Sequence, residues 1–542
     1  MSEPVEQTEA PVTRQQGSGF LRAFLASVLG TGLSRVLGAV RDITVARFLG
    51  AGAGSDAFWI AFTVPNVFRR FVADEGLTGA LVPAVARAEK EEGTEAARRL
   101  ANAALTVLLL ANLVLCVAGW FGAEPLVKAF AYKFIEDPDK FDLSVRLTRW
   151  MFPFVAFVSL VSFSEGLLNH RGHFFVPKLA PGLVSACIAA AALLLGTSFE
   201  RPEYALAVGV LVGGAVHLLV TLVPLFTRWG AVGLSLSLGS ARFRRLAREL
   251  GKVVLIGVFA ELNILVLRQL AAALGDGAIT RYWYATRLVD LSQGIVAVGI
   301  GSALLPRVSQ AVAAGDDEGF RESFGYALRL AAFLLLPVAV VLLTFAEPIT
   351  AVLFRHGRYT YEDVQWTSAT LMVLVPFLLS VAGINIVKKA YFALDDRNTV
   401  LAIGAAGVGL TALLGWWLIG RYSIVGLAAA LSVSVALQLV AYLVVLRFKL
   451  GTALGLGRLV APLVRIAIAA APGGVVLALL APLGEWSAGP ASVRNLALLA
   501  GGLLGAGGLY LVLAWLLRVE ELRGLKARFR GTRGRDSEAE GE

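Results

Sequence analysis

The chain has 542 residues, of which 57% are hydrophobic and only 16% are charged, and it carries a net charge of +10. Its mean hydropathy of +0.73 excludes an ordinary water-soluble protein. Apolar runs of about 20 residues recur along the chain, and each is long enough to cross a bilayer as a helix. Because the runs are continuous rather than alternating, they predict a helical bundle and exclude a membrane β-barrel.

We predict an all-α integral membrane protein with about fourteen transmembrane helices. The approximate spans are residues 20–49, 55–72, 99–122, 147–169, 176–196, 203–227, 253–274, 281–305, 326–346, 366–394, 399–419, 423–446, 459–482 and 495–517. An even number of spans places both termini on one side of the membrane. Lysine and arginine between the spans are concentrated on that side, which predicts cytoplasmic termini.

The predicted organisation includes two similar halves, because residues 49–88 align with residues 274–311. With six spans each, the halves form a parallel repeat, and a substrate site is expected between them. Two C-terminal spans stand outside the repeat. The predicted parts are a disordered cytoplasmic tail at 1–17, an N-lobe at 18–228, a basic cytoplasmic or interfacial linker at 229–252, a C-lobe at 253–448, the last two spans at 449–517, and a basic-then-acidic cytoplasmic tail at 518–542.

The most informative residues are arginines inside the membrane. Arg35, Arg41 and Arg47 lie in the first span, and Arg69 and Arg70 close the second. A charge at the bilayer centre costs roughly 2.5–3.5 kcal/mol on insertion scales, so such residues are rare. Their clustering predicts a water-filled cavity that holds an anion.

Several further residues extend this cavity. Ser34 shares a helical face with Arg41, and Asp42 is a candidate partner for an arginine on another helix. The second half carries Arg287 at the place equivalent to the end of span two. Several guanidinium groups that face one another bind phosphate oxygens bidentately and suit a pyrophosphate. For each arginine, a structural ion pair or a side chain reaching toward the interface is the alternative.

Other polar residues suggest weaker hypotheses. Glu261 lies within span seven near Asn263, and an intramembrane acid is by default a proton or cation site; a hydrogen bond to a neighbouring helix is the alternative. The loop 123–146 is acidic, which indicates a solvated loop more than a pair of catalytic carboxylates. The two cysteines and four histidines form no metal-ligand pattern, so we predict no metal site. There is no phosphate-binding loop for ATP hydrolysis.

A set of short motifs resembles the MurJ/MviN family, the lipid II flippases of the MOP exporter superfamily. The most specific motifs are Ser34-Arg35-Val36-Leu37-Gly38, Arg41-Asp42, Ala46-Arg47, Asp56-Ala57-Phe58, Pro65-Asn66 and Arg69-Arg70. The likeness continues through Leu168-Asn169, Pro177, Ala180-Pro181, Arg287-Leu288 and Leu305-Pro306. It covers nearly the whole chain.

The resemblance implies roles for particular residues. The charged lining of the family's cavity corresponds to Ser34, Arg35, Arg41, Asp42, Asp56, Arg69 or Arg70, and Arg287. Spans 13 and 14 correspond to a groove for the polyprenyl tail. Some members bind sodium between spans 7, 11 and 12, for which Glu261 and Asn263 are the candidates on span 7. The family's acid before a glycine is either Asp74 or Glu75, and the sequence does not decide which.

The expected function is therefore the flipping of lipid II across the bacterial inner membrane by alternating access. No enzyme activity and no cofactor are expected, and sodium or the membrane potential would drive transport. The expected partners are lipid II or a related polyprenyl-pyrophosphate lipid, membrane lipids and the cell-wall synthesis machinery, but no nucleic acid. The alternatives are a flippase for another polyprenyl-linked oligosaccharide, a cation-coupled drug antiporter of the same superfamily, and a membrane enzyme acting on polyprenyl phosphates.

Overall fold

A computed structural model of the chain describes residues 15–69, 81–171, 173, 175–229, 233–235, 244, 248, 261–451 and 455–522. Side chains within these helices are described except at 15–28, 69, 228, 295–309, 312–313 and 456. The described residues are mostly helical and contain no strand, which confirms the all-α class. Several predicted features lie outside the described residues, namely the tail before residue 15, Arg70, Asp74, Glu75, most of the linker 229–252 and the tail from residue 523.

The described residues of the N-terminal half form nine α-helices. They are α1 (Gln15–Leu49), α2 (Ala53–Arg69), α3 (Val82–Glu92), α4 (Thr94–Phe121), α5 (Ala123–Phe130), α6 (Pro138–Met151), α7 (Phe154–His170), α8 (Phe175–Leu195) and α9 (Pro202–Trp229). A short 3-10 helix, Tyr132–Glu136, joins α5 to α6. The first helix begins within the predicted disordered tail.

The second half begins with α10, whose described part is residues 261–272. It continues through α11 (Ala278–Ala314), α12 (Asp317–Thr344), α13 (Ala346–Phe354), α14 (Tyr361–Val373), α15 (Val375–Ala393) and α16 (Arg397–Leu450). The bounds of the C-terminal pair, α17 (Val460–Leu480) and α18 (Val493–Leu516), agree with those of the last two predicted spans to within two residues. Short 3-10 helices at Leu456–Leu459, Ala481–Leu483 and Trp486–Ala491 flank α17.

Nine helices in the described part of the chain are long and apolar enough to cross a membrane. One of them, α16, has 54 residues and contains a break at Ser423, where φ is 52° and ψ is −135°. It therefore comprises two helices, as the separate spans 399–419 and 423–446 predict. Because α1, α2 and α11 fall outside the set of nine, the exact count of fourteen stays a prediction.

The segment 123–146, predicted from its charges to be a solvated acidic loop, is largely helical. This segment folds into α5, the 3-10 helix and α6, because the sequence contains both a helix start and an apolar face. Asp137 caps α6 by accepting a hydrogen bond from the Lys140 amide at 3.1 Å, and Pro138 occupies the first turn. On α5, Val127 and Phe130 are buried against the rest of the lobe.

Glycines set the close packing of the N-lobe around α8, which lies between α1 and α9. A Cβ at Gly182 of α8 would lie 2.8 Å from the Cα of Ser34 on α1. On the other side, a Cβ at Gly213 of α9 would lie 2.8 Å from the Cα of Val184. Small residues therefore let the three helices approach at backbone distance, as is common in membrane bundles.

This packing generates a stability prediction for Gly182→Ala. The added methyl group must push α1 away from α8, and overpacking of this kind costs about 1–3 kcal/mol. We expect a lower Tm for the detergent-purified protein in a thermal unfolding assay. The matched control is Gly505→Ala on α18, where a Cβ would meet nothing within 4 Å and the Tm should not fall. Equal Tm values for the two variants would contradict the packing account.

Candidate functional site

A cavity of about 540 Å³ lies between the two halves and is lined by helices of both. Its described lining contains a single acidic side chain, Glu165, and several basic ones: Arg35, Arg41, Lys178, Arg268 and Arg287. The cavity is therefore strongly cationic. Serine, threonine and asparagine side chains add neutral hydrogen-bonding groups to the wall, at Thr31, Ser34, Thr63, Asn66, Ser162 and Ser185.

Asp42 joins the two lobes at this cavity. Its Oδ1 atom accepts hydrogen bonds from Nε and Nη2 of Arg41, at 2.9 and 2.7 Å. Its Oδ2 atom accepts a hydrogen bond from Nε of Arg287 on α11, at 3.0 Å. Only 1% of Asp42 is exposed, so the carboxylate depends on these two guanidinium groups for its solvation.

Helices α1 and α11 each place an arginine side chain against a glycine of the other helix, across the boundary between the lobes. A Cβ at Gly38 of α1 would lie 2.8 Å from Nη2 of Arg287. Conversely, a Cβ at Gly294 of α11 would overlap the guanidinium of Arg35. The Arg35 Nη1 group donates to the carbonyl oxygens of Asp290 and Leu291, both at 3.1 Å. Each helix thus supplies a glycine that makes room for the arginine of the other.

Aromatic rings form the end of the cavity nearest the α1–α2 connection. Trp59 of α2 stacks on Trp283 of α11 with 4.3 Å between ring centroids. The Arg41 guanidinium carbon lies 5.9 Å from the Trp59 ring and 5.8 Å from the Phe62 ring, within cation–π range. Arg268 lies 5.0 Å from the Trp283 ring. Basic side chains are thereby held against an apolar, water-poor surface.

Asp56 lies outside the cavity lining, one helical turn before Trp59. Its Oδ1 atom accepts hydrogen bonds from the amide and hydroxyl of Thr280, at 2.9 and 2.7 Å, and Oδ2 accepts from the Gly277 amide at 2.8 Å. These groups lie at the N-terminus of α11, where a carboxylate accepts hydrogen bonds from free amides and interacts favourably with the helix dipole. Lys140 of α6 lies 3.2 Å from Asp56 and 2.7 Å from Asp276.

Two more contacts join the lobes at this α1–α2 end. Gln269 of α10 accepts a hydrogen bond from the Tyr132 amide at 2.9 Å and donates to the Lys128 carbonyl at 2.8 Å. The Arg358 amide donates to the Arg47 carbonyl at 3.1 Å, so the chain after α13 touches the end of α1. Hydrogen bonds and ion pairs therefore connect the two lobes at one end of the cavity.

The structure brings together most of the residues singled out from the sequence. Ser34, Arg35, Arg41 and Arg287 line the cavity, and Asp42 adjoins it. Arg69 ends α2, and its side chain is not described. A second group of residues was not predicted from the sequence: Lys140, Glu165, Lys178, His217 and Thr280. The rule for intramembrane charges would have found Glu165 and His217, which both fall within predicted spans.

Comparison with known proteins identifies the family. The family model described as lipid II flippase MurJ matches residues 45–493. The lipid II flippase MurJ of Burkholderia cenocepacia is 33% identical over 429 residues, which cover 77% of this chain and 82% of that protein. The probable lipid II flippase MurJ of Bdellovibrio bacteriovorus is 31% identical over 437 residues, covering 79% and 83%. The chain belongs to the MurJ family of lipid II flippases.

Solved structures agree on the fold. A lipid II flippase MurJ in an inward closed conformation matches with a TM-score of 0.75 at 19% identity, covering 91% of this chain and 99% of that one. An inward-facing multidrug resistance MATE transporter of the MOP superfamily matches with a TM-score of 0.66 at 16% identity, covering 79% and 98%. This member of the MurJ family is therefore a multi-pass membrane protein with the MOP transporter fold.

The sodium site implied by the family resemblance stays a prediction. Helix α16, which comprises spans 11 and 12, contains no acidic residue. Its Thr411 and Ser434 hydroxyls both donate to the Gly407 carbonyl, at 3.0 and 2.8 Å. An ion held between Glu261 or Asn263 and α16 would therefore meet hydroxyl and carbonyl oxygens on α16 rather than a carboxylate. We derive no transport step through a sodium ion.

The ion network makes Asp42→Asn a test of the link between the lobes. Loss of the charge leaves Arg41 and Arg287 without their shared counter-ion, and breaking a buried pair of this kind costs about 3–5 kcal/mol. The partial exposure of Arg287 places the expected loss of stability at the lower end, about 3 kcal/mol. The measurement is the Tm of the purified protein.

Asp142→Asn is the matched control, because Asp142 pairs with Arg146 on the exposed face of α6. Exposed ion pairs contribute little to stability, so this variant should have the same Tm as the wild type. The network account fails if Asp42→Asn is as stable as this control.

Proposed function

We propose that this chain flips lipid II, the polyprenyl-pyrophosphate-linked precursor of peptidoglycan, from the inner to the outer leaflet of the bacterial cytoplasmic membrane. The observation that carries the proposal is the cationic cavity between the lobes, in which Asp42 holds arginines from both. Membership of the MurJ family supports this substrate over other polyprenyl-linked oligosaccharides. The cavity is suited to an anionic head, whereas a cationic drug would meet repulsion from its basic lining.

The arginines are positioned to bind the pyrophosphate. Asp42 fixes the Arg287 guanidinium through Nε alone, and no hydrogen bond joins its Nη groups to other described residues. Those groups can donate to phosphate oxygens, for which the planar guanidinium is well matched. Arg35 and Arg41 contribute further positive charge in a site partly screened from water by Trp283 and Phe62. The network binds the anion without losing the contact between lobes.

The contacts around Asp56 form the outer gate in this proposal. With cytoplasmic termini, the α1–α2 end faces the outside, and the polar contacts there close the cavity on that side. The head enters from the inner leaflet while this gate is shut. Rocking of the lobes then separates Asp56 from the first turn of α11, exchanges those hydrogen bonds for water, and releases the head outside.

The membrane potential provides a sufficient driving force. An inside-negative potential contributes about 2.3 kcal/mol per elementary charge per 100 mV. Outward movement of two phosphate charges gains roughly twice that amount, provided that the arginines do not move with them. The polyprenyl tail stays in lipid along α17 and α18, which present exposed apolar side chains such as Leu479 and Leu504.

A reconstituted assay tests the proposal directly. Purified protein in liposomes should flip fluorescently labelled lipid II, and Arg287→Ala should lower the initial rate at least tenfold, since the loss of one charge-assisted hydrogen bond is worth about 1.5–3 kcal/mol. The control is Arg421→Ala, because Arg421 lies over Trp417 near the break in α16 and does not line the cavity. That variant should flip at the wild-type rate.

A second substrate separates the proposal from its nearest rival. The same liposomes are tested with a polyprenyl-pyrophosphate-linked oligosaccharide that lacks a peptide. Faster flipping of that lipid than of lipid II would assign the chain to another lipid-linked substrate. Undiminished flipping of lipid II by Arg287→Ala would contradict the role of the cavity.

A further inference from the structure

Two titratable side chains on the N-lobe wall of the cavity take no part in the arginine network. Glu165 lies on α7 and His217 on α9, and both line the cavity. Their Oε1 and Nε2 atoms are 3.5 Å apart. Close packing of the two helices holds them in place, since a Cβ at Gly214, one turn before His217, would lie 2.9 Å from the Phe154 and Phe157 rings.

Neither group has its hydrogen-bonding capacity satisfied by the described residues. The Oε1 atom of Glu165 and the Nε2 atom of His217 are buried and face each other at 3.5 Å, which is longer than a good hydrogen bond, and neither has a hydrogen-bond partner among the described residues. Only 5% of His217 is exposed. A buried polar atom left without a partner costs about 1–3 kcal/mol, and folded proteins rarely tolerate this in the absence of a function. The pair is therefore prepared for a group that enters the cavity.

The pair lies farther from the α1–α2 end of the cavity than the shared carboxylate Asp42. Pro202, at the start of α9, lies at the α1–α2 end, where it lines a small surface pocket together with Ala53. With a rise of 1.5 Å per residue, His217 is about 22 Å from that end, whereas Arg41 is about 12 Å from the end of α1. The pair is thus about 10 Å from the level of Arg41 along the helices, far enough to contact what is attached to the phosphates.

The chemistry of the pair differs from that of the arginines. A carboxylate only accepts hydrogen bonds and repels phosphate, while an imidazole nitrogen donates or accepts according to its tautomer. Together, Glu165 and His217 match a neutral group that both donates and accepts, such as a sugar hydroxyl or an amide. Sites that hydrogen-bond such groups discriminate strongly against ligands that lack them.

We propose that Glu165 and His217 form a second subsite, which binds a hydroxyl or amide group of the sugar-peptide head and selects glycosylated lipids over a bare polyprenyl pyrophosphate. This inference rests on the proposed function, because it assumes that the head enters this cavity. It assigns the two ends of the head to different walls. Arginines on α1 and α11 bind the pyrophosphate. Glu165 and His217, on α7 and α9, bind the sugar-peptide part that is attached to it.

The test compares two lipids at one fixed pH. Affinities of the purified protein in nanodiscs are measured for lipid II and for undecaprenyl pyrophosphate, which has no sugar. The wild type should bind lipid II about tenfold more tightly. Glu165→Ala should abolish this preference by weakening lipid II about tenfold, with the affinity for undecaprenyl pyrophosphate unchanged. His217→Ala is an independent second variant with the same expected result.

Two further variants exclude other roles. Glu165→Gln keeps an acceptor oxygen of the same reach, so its affinity for lipid II should stay within about threefold of the wild type. Ser164→Ala is the matched control on α7, because Ser164 does not line the cavity and donates only to the Leu160 carbonyl, at 2.9 Å. Both lipids should bind to this control as they bind to the wild type.

The possible failures are distinguishable. A wild type that binds neither lipid would contradict the proposed function itself. Equal wild-type affinities for both lipids, or equal weakening of both by Glu165→Ala, would overturn the second subsite while leaving the arginine site intact. A Glu165→Gln variant as defective as Glu165→Ala would also overturn it, because that result indicates a group that must carry a charge or a proton.

Discussion

The buried carboxylate of Asp42 is the interaction on which the rest of this structure depends. A charge taken out of water is stable only when it is paired and hydrogen-bonded, and Asp42 finds its partners in different lobes. The same carboxylate accepts hydrogen bonds from Arg41 through one oxygen and from Arg287 through the other. Because it neutralises only part of the local positive charge, the cavity keeps an excess of cations. One residue thus joins the lobes and preserves the binding capacity for an anion.

The polar contacts between the lobes lie at two levels along the helices, one around Asp42 and one around Asp56. Around Asp42 they surround the cavity, where a ligand can compete for the arginines. Around Asp56 they connect α2 and α6 of one lobe to the start of α11 in the other, away from the cavity lining. Stacked Trp59 and Trp283 separate the two levels. The proposed function therefore couples binding at one level to opening at the other through α2 and α11.

Hydrophobic runs were enough to predict the helical class, and intramembrane charges singled out Arg35, Arg41 and Arg287, which line one cavity in the structure. Long apolar segments must be helical in lipid, and clustered arginines need a shared anion or cavity. The contacts of Asp56 were not predictable, because they depend on which residues begin α11. The helices α5 and α6 were missed because the prediction weighed their charge more than the helix cap at Asp137. Glu165 and His217 each fall within a predicted span, but their proximity was not predictable, because it arises only from packing of α7 against α9.

The most direct measurement of the central claim is complementation in a bacterium depleted of its own lipid II flippase. The chain is expressed as the wild type and as Arg41→Ala, with membrane insertion checked for both. The account predicts that the wild type restores growth and that Arg41→Ala does not, because the anion loses one of its cations and Asp42 loses a partner. Rescue by both proteins, or failure of a well-inserted wild type, would contradict lipid II flipping through this arginine cavity.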